Sequence, residues 1–184
     1  GGTRILVNGV ALPMVYSVQS QLSAIASWNA EGVKTVWITV ERGGNTSAPY
    51  RLKTVEAKPG LFTFDASGTG LAAIVNPDGS INQRNNPARR GDTIVAYMTG
   101  GGAMDVNGPP GSVASGLSRL RLPVSVSIGG VAAEVLYAGN APGLIEGVTQ
   151  LNVRVPLGVA SGTVPIRVRV GSVESAAGVL LVVE

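Results

Sequence analysis

The chain has no cysteine and no histidine. The first absence excludes disulfides and cysteine-ligated metals. The second removes the commonest general base, triad partner and zinc ligand. Aromatic residues make up only 4% of the chain and charged residues 14%. A nucleic-acid groove needs a dense basic stripe with stacking aromatics. Here the net charge is +3, and Arg84, Arg89, Arg90 and the pair Arg119, Arg121 form only loose clusters. No nucleic-acid partner is expected. No run of about 18 apolar residues exists, so no membrane insertion is expected. Gly1 is not followed by the charged start and apolar stretch of a signal peptide. A mature or trimmed chain would read the same way.

What is present is Val, Ala, Leu and Ile, in short segments broken by 26 glycines and 11 prolines. Many short Val-rich segments between turn residues predict an all-β sandwich. The most informative stretch is 123–137, PVSVSIGGVAAEVLY, because it occurs twice; residues 3–16 read TRILVNGVALPMVY. Each copy has an alternating strand, a two-residue turn (Asn8-Gly9, Gly129-Gly130), a Val-Ala pair and an apolar strand ending in Tyr16 or Tyr137. Such dipeptides between alternating strands are the strongest short-range hairpin signal.

The match continues downstream. Residues 150–155 (QLNVRV) match 21–26 (QLSAIA), 162–170 match 32–40, and 175–184 match 47–56. Alternation in the first copy puts Leu22, Ala24, Val36, Ile38 and Val40 inward, and Ile25 and Trp37 outward. On this alignment Trp37 stands where Arg167 stands, and Ile25 where Arg154 stands. No helix is predicted beyond one turn at most in 17–24. The repeated unit is thus seen at 3–56 (copy one) and 123–184 (copy two), while 57–122 occurs once. That single segment reads as short strands at 61–64, 72–75 and 93–98, then a Gly/Pro/Ser-rich surface loop at 100–118. It looks like the first half of the domain that copy two completes. The expected fold is tandem immunoglobulin-like β-sandwich modules, 1–57 incomplete and 58–184 complete.

Residues 86–93 (NPARRGDT), 97–100 (YMTG), 128–133 (IGGVAA), 150–156 (QLNVRVP) and 162–170 resemble an IPT/TIG-type immunoglobulin-like domain. More closely they are similar to the Solibacter-type C-terminal domain of uncharacterised bacterial proteins. The resemblance covers nearly the whole chain. It implies the fold and a secreted or cell-surface setting, and it carries no catalytic residue.

Other motifs are weaker. Arg90-Gly91-Asp92 spells an integrin tripeptide but leads straight into a predicted strand. Asp65 to Gly70 and Asp105 to Gly108 place oxygens near glycines without completing a calcium loop. Asn45-Thr46-Ser47 has the form of a glycosylation sequon. The 11 acids show no local constellation for hydrolysis, so no enzyme, cofactor or metal is expected.

A half-sandwich exposes its inward row and unpaired strand edges. The candidate interface is therefore Leu22, Ile25, Trp28, Val36, Trp37, Ile38 and Val40. The expected function is a non-enzymatic extracellular structural protein, a filament or surface-layer subunit joined head to tail by strand or face complementation. Its partner is a further copy of itself or a neighbouring domain of a larger chain. The alternative is an adhesion module that binds carbohydrate, such as cell-surface polysaccharide, or protein through Trp28, Trp37 and the loop 100–118.

Overall fold

The computed structural model describes residues 2–26 and 32–184. Among them there is no helix, and the fold is all-β. Copy one forms β1 (Thr3–Val7), β2 (Val10–Ala11), β3 (Met14–Ser17), β4 (Leu22–Ala24), β5 (Thr35–Arg42), β6 (Asn45–Thr46) and β7 (Tyr50–Lys53). The single segment adds β8 (Gly60–Leu61), β9 (Gly70–Leu71), β10 (Ile74–Val75) and β11 (Thr93–Thr99). Copy two forms β12 (Val124–Ile128), β13 (Val131–Asn140), β14 (Thr149–Arg154), β15 (Gly162–Val170), β16 (Val173–Glu174) and β17 (Val179–Val183).

Strands β8 to β17 form one curled ten-stranded sheet, in the order β10-β11-β14-β13-β12-β15-β17-β9, with β8 on β11 and β16 on β15. Its ends fold over each other as a β-sandwich. Strand β13 makes this possible. Its first half pairs with β12 and its second with β14, and a bulge at Leu136 turns the chain between them. Ile94, Ala96, Leu151 and Val153 from one layer then share a core with Ile128, Ile166, Val168 and Leu181 from the other. Gly100 closes the end of β11. Its φ is +73°, and a Cβ there would collide with the Lys58 carbonyl, so no other residue fits.

Residues 100–118 differ from the expected surface loop. Met104, Ala114 and Ser118 are buried, and single bridges tie Met104 to Leu120 and Val113 to Ile145. The segment lies over the β13 end, where Arg119 pairs with Gly139.

Copy one repeats the copy-two pattern in part. Its strands form a sheet in the order β2-β1-β5-β6, with β7 also on β5, and a separate pair β3-β4. The apolar strand expected to end at Tyr16 begins only at Met14, after Pro13, and the β3-β4 pair is bulged at Val15 as β13 is at Leu136. The pairings set the correspondence. Val7 pairs with Ile38 as Ile128 pairs with Ile166. Asn8 N–H donates to the Trp37 carbonyl as Gly129 N–H donates to that of Pro165. Ser47 Oγ accepts from Val40 N–H as Ser175 Oγ accepts from Val168 N–H.

These bonds correct the sequence alignment of this strand by two residues. Trp37 corresponds to Pro165, and the counterpart of Arg167 is Thr39. Register is fixed by the turns at both strand ends, whereas the glycines matched in sequence are not equivalent: Gly162 pairs with Val183 inside β15, and Gly32 lies before β5. Ile25 remains opposite Arg154, since Leu22 matches Leu151 and Ala24 matches Val153.

Equivalent residues differ in burial. Ile166 and Val168 are fully buried, and Ile38 and Val40 only half-buried. Ile166→Ala should cost about 2–5 kcal/mol of module stability. Ile38→Ala should cost only about 1–2 kcal/mol, because less area leaves water there. Urea denaturation followed by residue-resolved NMR measures both.

Candidate interaction surface

Cross-strand pairing puts one set of side chains on the inward face of copy one: Ile5, Val7, Val10, Val36, Ile38, Val40, Tyr50 and Leu52. These side chains are all apolar or aromatic, and the face turns polar only at its end, where Thr3 pairs with Arg42. Val36 is buried, Ile38, Val40 and Leu22 are half-buried, and the open part lies at Val10, Tyr50 and Leu52. The inward row is thus partly covered, and the exposure is displaced to its rim. Trp37 lies on the opposite face, half exposed, beside Arg51. Trp28 lies outside the described residues.

Ile25 has a partner within the chain. Its Cγ2 lies 3.6 Å from where a Cβ on Gly147 would sit, and Pro13 packs so close to Gly111 that a Cβ there would clash. In copy two the same two positions are Glu134 and Arg154, joined by a 2.8 Å ion pair at the surface. An apolar pair replaces an ion pair where copy one meets Gly111 of the single segment and Gly147 of copy two. That contact accounts for Ile25 without an external partner.

The strand edges are the larger difference. In copy two, β14 carries β11 on its second edge over Thr93↔Arg154 to Met98↔Thr149. β17 carries β9 in parallel, and Asn82 brackets the Val182 backbone, accepting from its N–H at 2.9 Å and donating to its carbonyl at 2.9 Å. In copy one, β4 pairs only with β3 and β7 only with β5 among the described residues. Pairing shifts the sequence match of this last strand by one residue, because Leu52 faces Val36 as Leu181 faces Val164. Tyr50 is 67% exposed where Val179 is 2%, and Leu52 is 41% exposed where Leu181 is 0%. Tyr16 is 41% exposed where Tyr137 is 7%.

Tyr137 shows what that position is built to do. Its hydroxyl donates within reach of the Ser118 carbonyl (3.1 Å) and of Asn140 (2.9 Å), and the Arg119 guanidinium sits 5.4 Å over its ring. Gly139 permits this close approach, since a Cβ there would strike the Ser118 carbonyl. Burial pushes the Tyr137 phenol above its ordinary pKa, against the opposing pull of the Ser118 hydrogen bond and Arg119.

The other motifs are absorbed by structure. The Arg90 guanidinium donates to the Val159 carbonyl, Ser161 Oγ and the Glu184 carbonyl, and Asp92 accepts from Arg89 N–H. Asp65 accepts from the Ser67 hydroxyl and amide, and Asp78 from those of Ser80, which holds both carboxyls below the usual range. Among the described residues no three acids gather as metal ligands. Asn107 Oδ1 accepts from Met104 N–H, a turn bond.

One surface escaped sequence reading. Phe62 pairs beside Tyr97 (N–H to carbonyl, 2.9 Å), and Tyr97 pairs with Gln150 on the outward face of β11 and β14. Phe64 projects from the same side two residues on, and Gln150 Nε2 donates to Asn152 Oδ1 at 2.9 Å. Both phenylalanines of the chain sit here, exposed. The alternation of Phe62 and Phe64 was visible, but only pairing brings Tyr97 beside them.

No family model matches this chain, and no curated protein matches it.

Tyr137→Phe should cost about 1–3 kcal/mol at neutral pH, because Ser118 and Asn140 lose a buried donor. The raised phenol pKa means that above about pH 10 the unfolded chain holds fewer protons than the folded one. Stability should therefore fall as pH rises past that point, and Tyr137→Phe should flatten the fall. Denaturant titrations at a series of alkaline pH values test both effects.

Proposed function

We propose that this protein is a non-enzymatic structural subunit of an extracellular or cell-surface assembly, joined to its neighbours by complementation of copy one. One observation carries the reading. The same fold element is closed in copy two and open in copy one, at Tyr16, Tyr50 and Leu52 and along the edges of β4 and β7. An apolar face beside free strand edges is a template for strand addition. The resemblance to IPT/TIG-type domains supports the extracellular setting and an immunoglobulin-like classification of the sandwich. The chain should associate as concentration rises in light scattering, and Tyr50→Lys with Leu52→Lys should weaken association at least about tenfold by charging the open face. A monodisperse monomer at high concentration, with copy one folded by NMR, defeats the reading.

A second reading is a carbohydrate-binding module, and Phe62, Phe64 and Tyr97 favour it. Flat rings on a sheet face stack on sugar rings, and the Gln150 and Asn152 amides beside them suit hydroxyls. Tyr97→Ala should then abolish retention on insoluble cell-wall polysaccharide, while Trp37→Ala should leave it unchanged.

A further inference from the structure

We infer that the element completing copy one is a polypeptide segment with the pattern of residues 57–122, entering copy one at Gly2. This rests on the reading of copy one as an acceptor and names what it accepts.

Copy two shows what such a half requires. It needs a strand antiparallel to β14 with apolar side chains at alternate positions, which Ile94, Ala96 and Met98 provide. It needs a strand parallel to β17, provided by β9. It needs an amide that closes the β17 edge, provided by Asn82. It needs backbone over the ring that ends the hairpin, provided by Ser118 and Arg119. The corresponding sites in copy one are β4, Tyr50 with Arg51, Lys53 and Tyr16. All four groups of donors lie in the one segment 57–122.

A second copy of the chain does not supply them. Residues 1–184 hold two halves of the copy type and one donor segment. That segment is already built into its own module, where Ile74, Ile94 and Met98 are fully buried. Exchange between chains would therefore complete one half by opening another, and the vacancy would pass along the assembly without being filled. The donor must be an additional segment of the same pattern.

The entry point is preserved as well. In copy two the donor segment runs into β12 through Pro123, whose carbonyl accepts from Gly171 N–H at 2.9 Å. In copy one the Gly2 carbonyl accepts from Gly43 N–H at 3.4 Å, and β1 begins at the next residue as β12 does. A donor arriving at Gly2 therefore meets the geometry that 57–122 meets at Pro123.

The test places a second copy of residues 57–122 directly before Gly2 of the full chain. Hydrogen exchange then reads the amides of β4 and β7. Protection should rise about a hundredfold or more over the unfused chain. A control fusion carries Ile94→Asp and Met98→Asp in the added segment alone, and it should give no such rise. Equal protection in the fusion and the control overturns the inference. So does protection of the same size in the unfused chain at high concentration, because a second copy then completes the face as fully as the added segment does. The acceptor reading is judged separately, by association of the unfused chain. Association that persists while the fusion gives no protection leaves that reading standing and defeats only the choice of donor.

Discussion

A sheet that is apolar on one side must have that side covered, and a strand buried in a sandwich must have both edges paired. In this protein both demands meet at β13. Because it pairs with β12 at one end and β14 at the other, it links two layers that enclose Ile94, Leu151, Ile128 and Ile166. The bulge at Leu136 gives the change of direction, and the approach of Ser118 to Gly139 seals the far end. The rest of the larger module follows. β11 and β17 extend the layers outward, and β9 and Asn82 finish the rim.

Copy one obeys the same rule as far as its residues allow. Its hairpin, its bulge at Val15 and its serine-to-valine backbone bond all match copy two. Pro13 has no N–H to donate, yet its carbonyl accepts from Ile25 and the crossing survives. What differs is the outer surface. A surface ion pair contributes about 0–1 kcal/mol, so exchanging Glu134 and Arg154 for Pro13 and Ile25 loses little. It gains an apolar seat against Gly111 and Gly147. Ile25 is therefore explained inside the chain, while Tyr50, Leu52 and the edges of β4 and β7 are not.

Much of this was legible in the residues. Alternating strands and glycine turns gave the all-β fold, and the repeat exposed the unequal halves. The inward row Leu22, Val36, Ile38 and Val40 follows from a period of two. The correspondence of Trp37 was not legible, because the glycines at 32 and 162 look equivalent in sequence while hydrogen bonds make Trp37 the counterpart of Pro165. The segment 100–118 read as a surface loop because its composition lacks periodicity. It nevertheless buries Met104 and Ala114 through contacts made residue by residue.

By itself, the sequence determined which segments become strands, where they turn and which faces are apolar, because these depend on neighbours a few residues apart. Only the tertiary structure decided how far each face is covered, which edges stay open, and that Phe62, Phe64 and Tyr97 share a surface. Those outcomes depend on register between strands distant in the chain. One hydrogen-bond step of register moves a side chain from core to solvent.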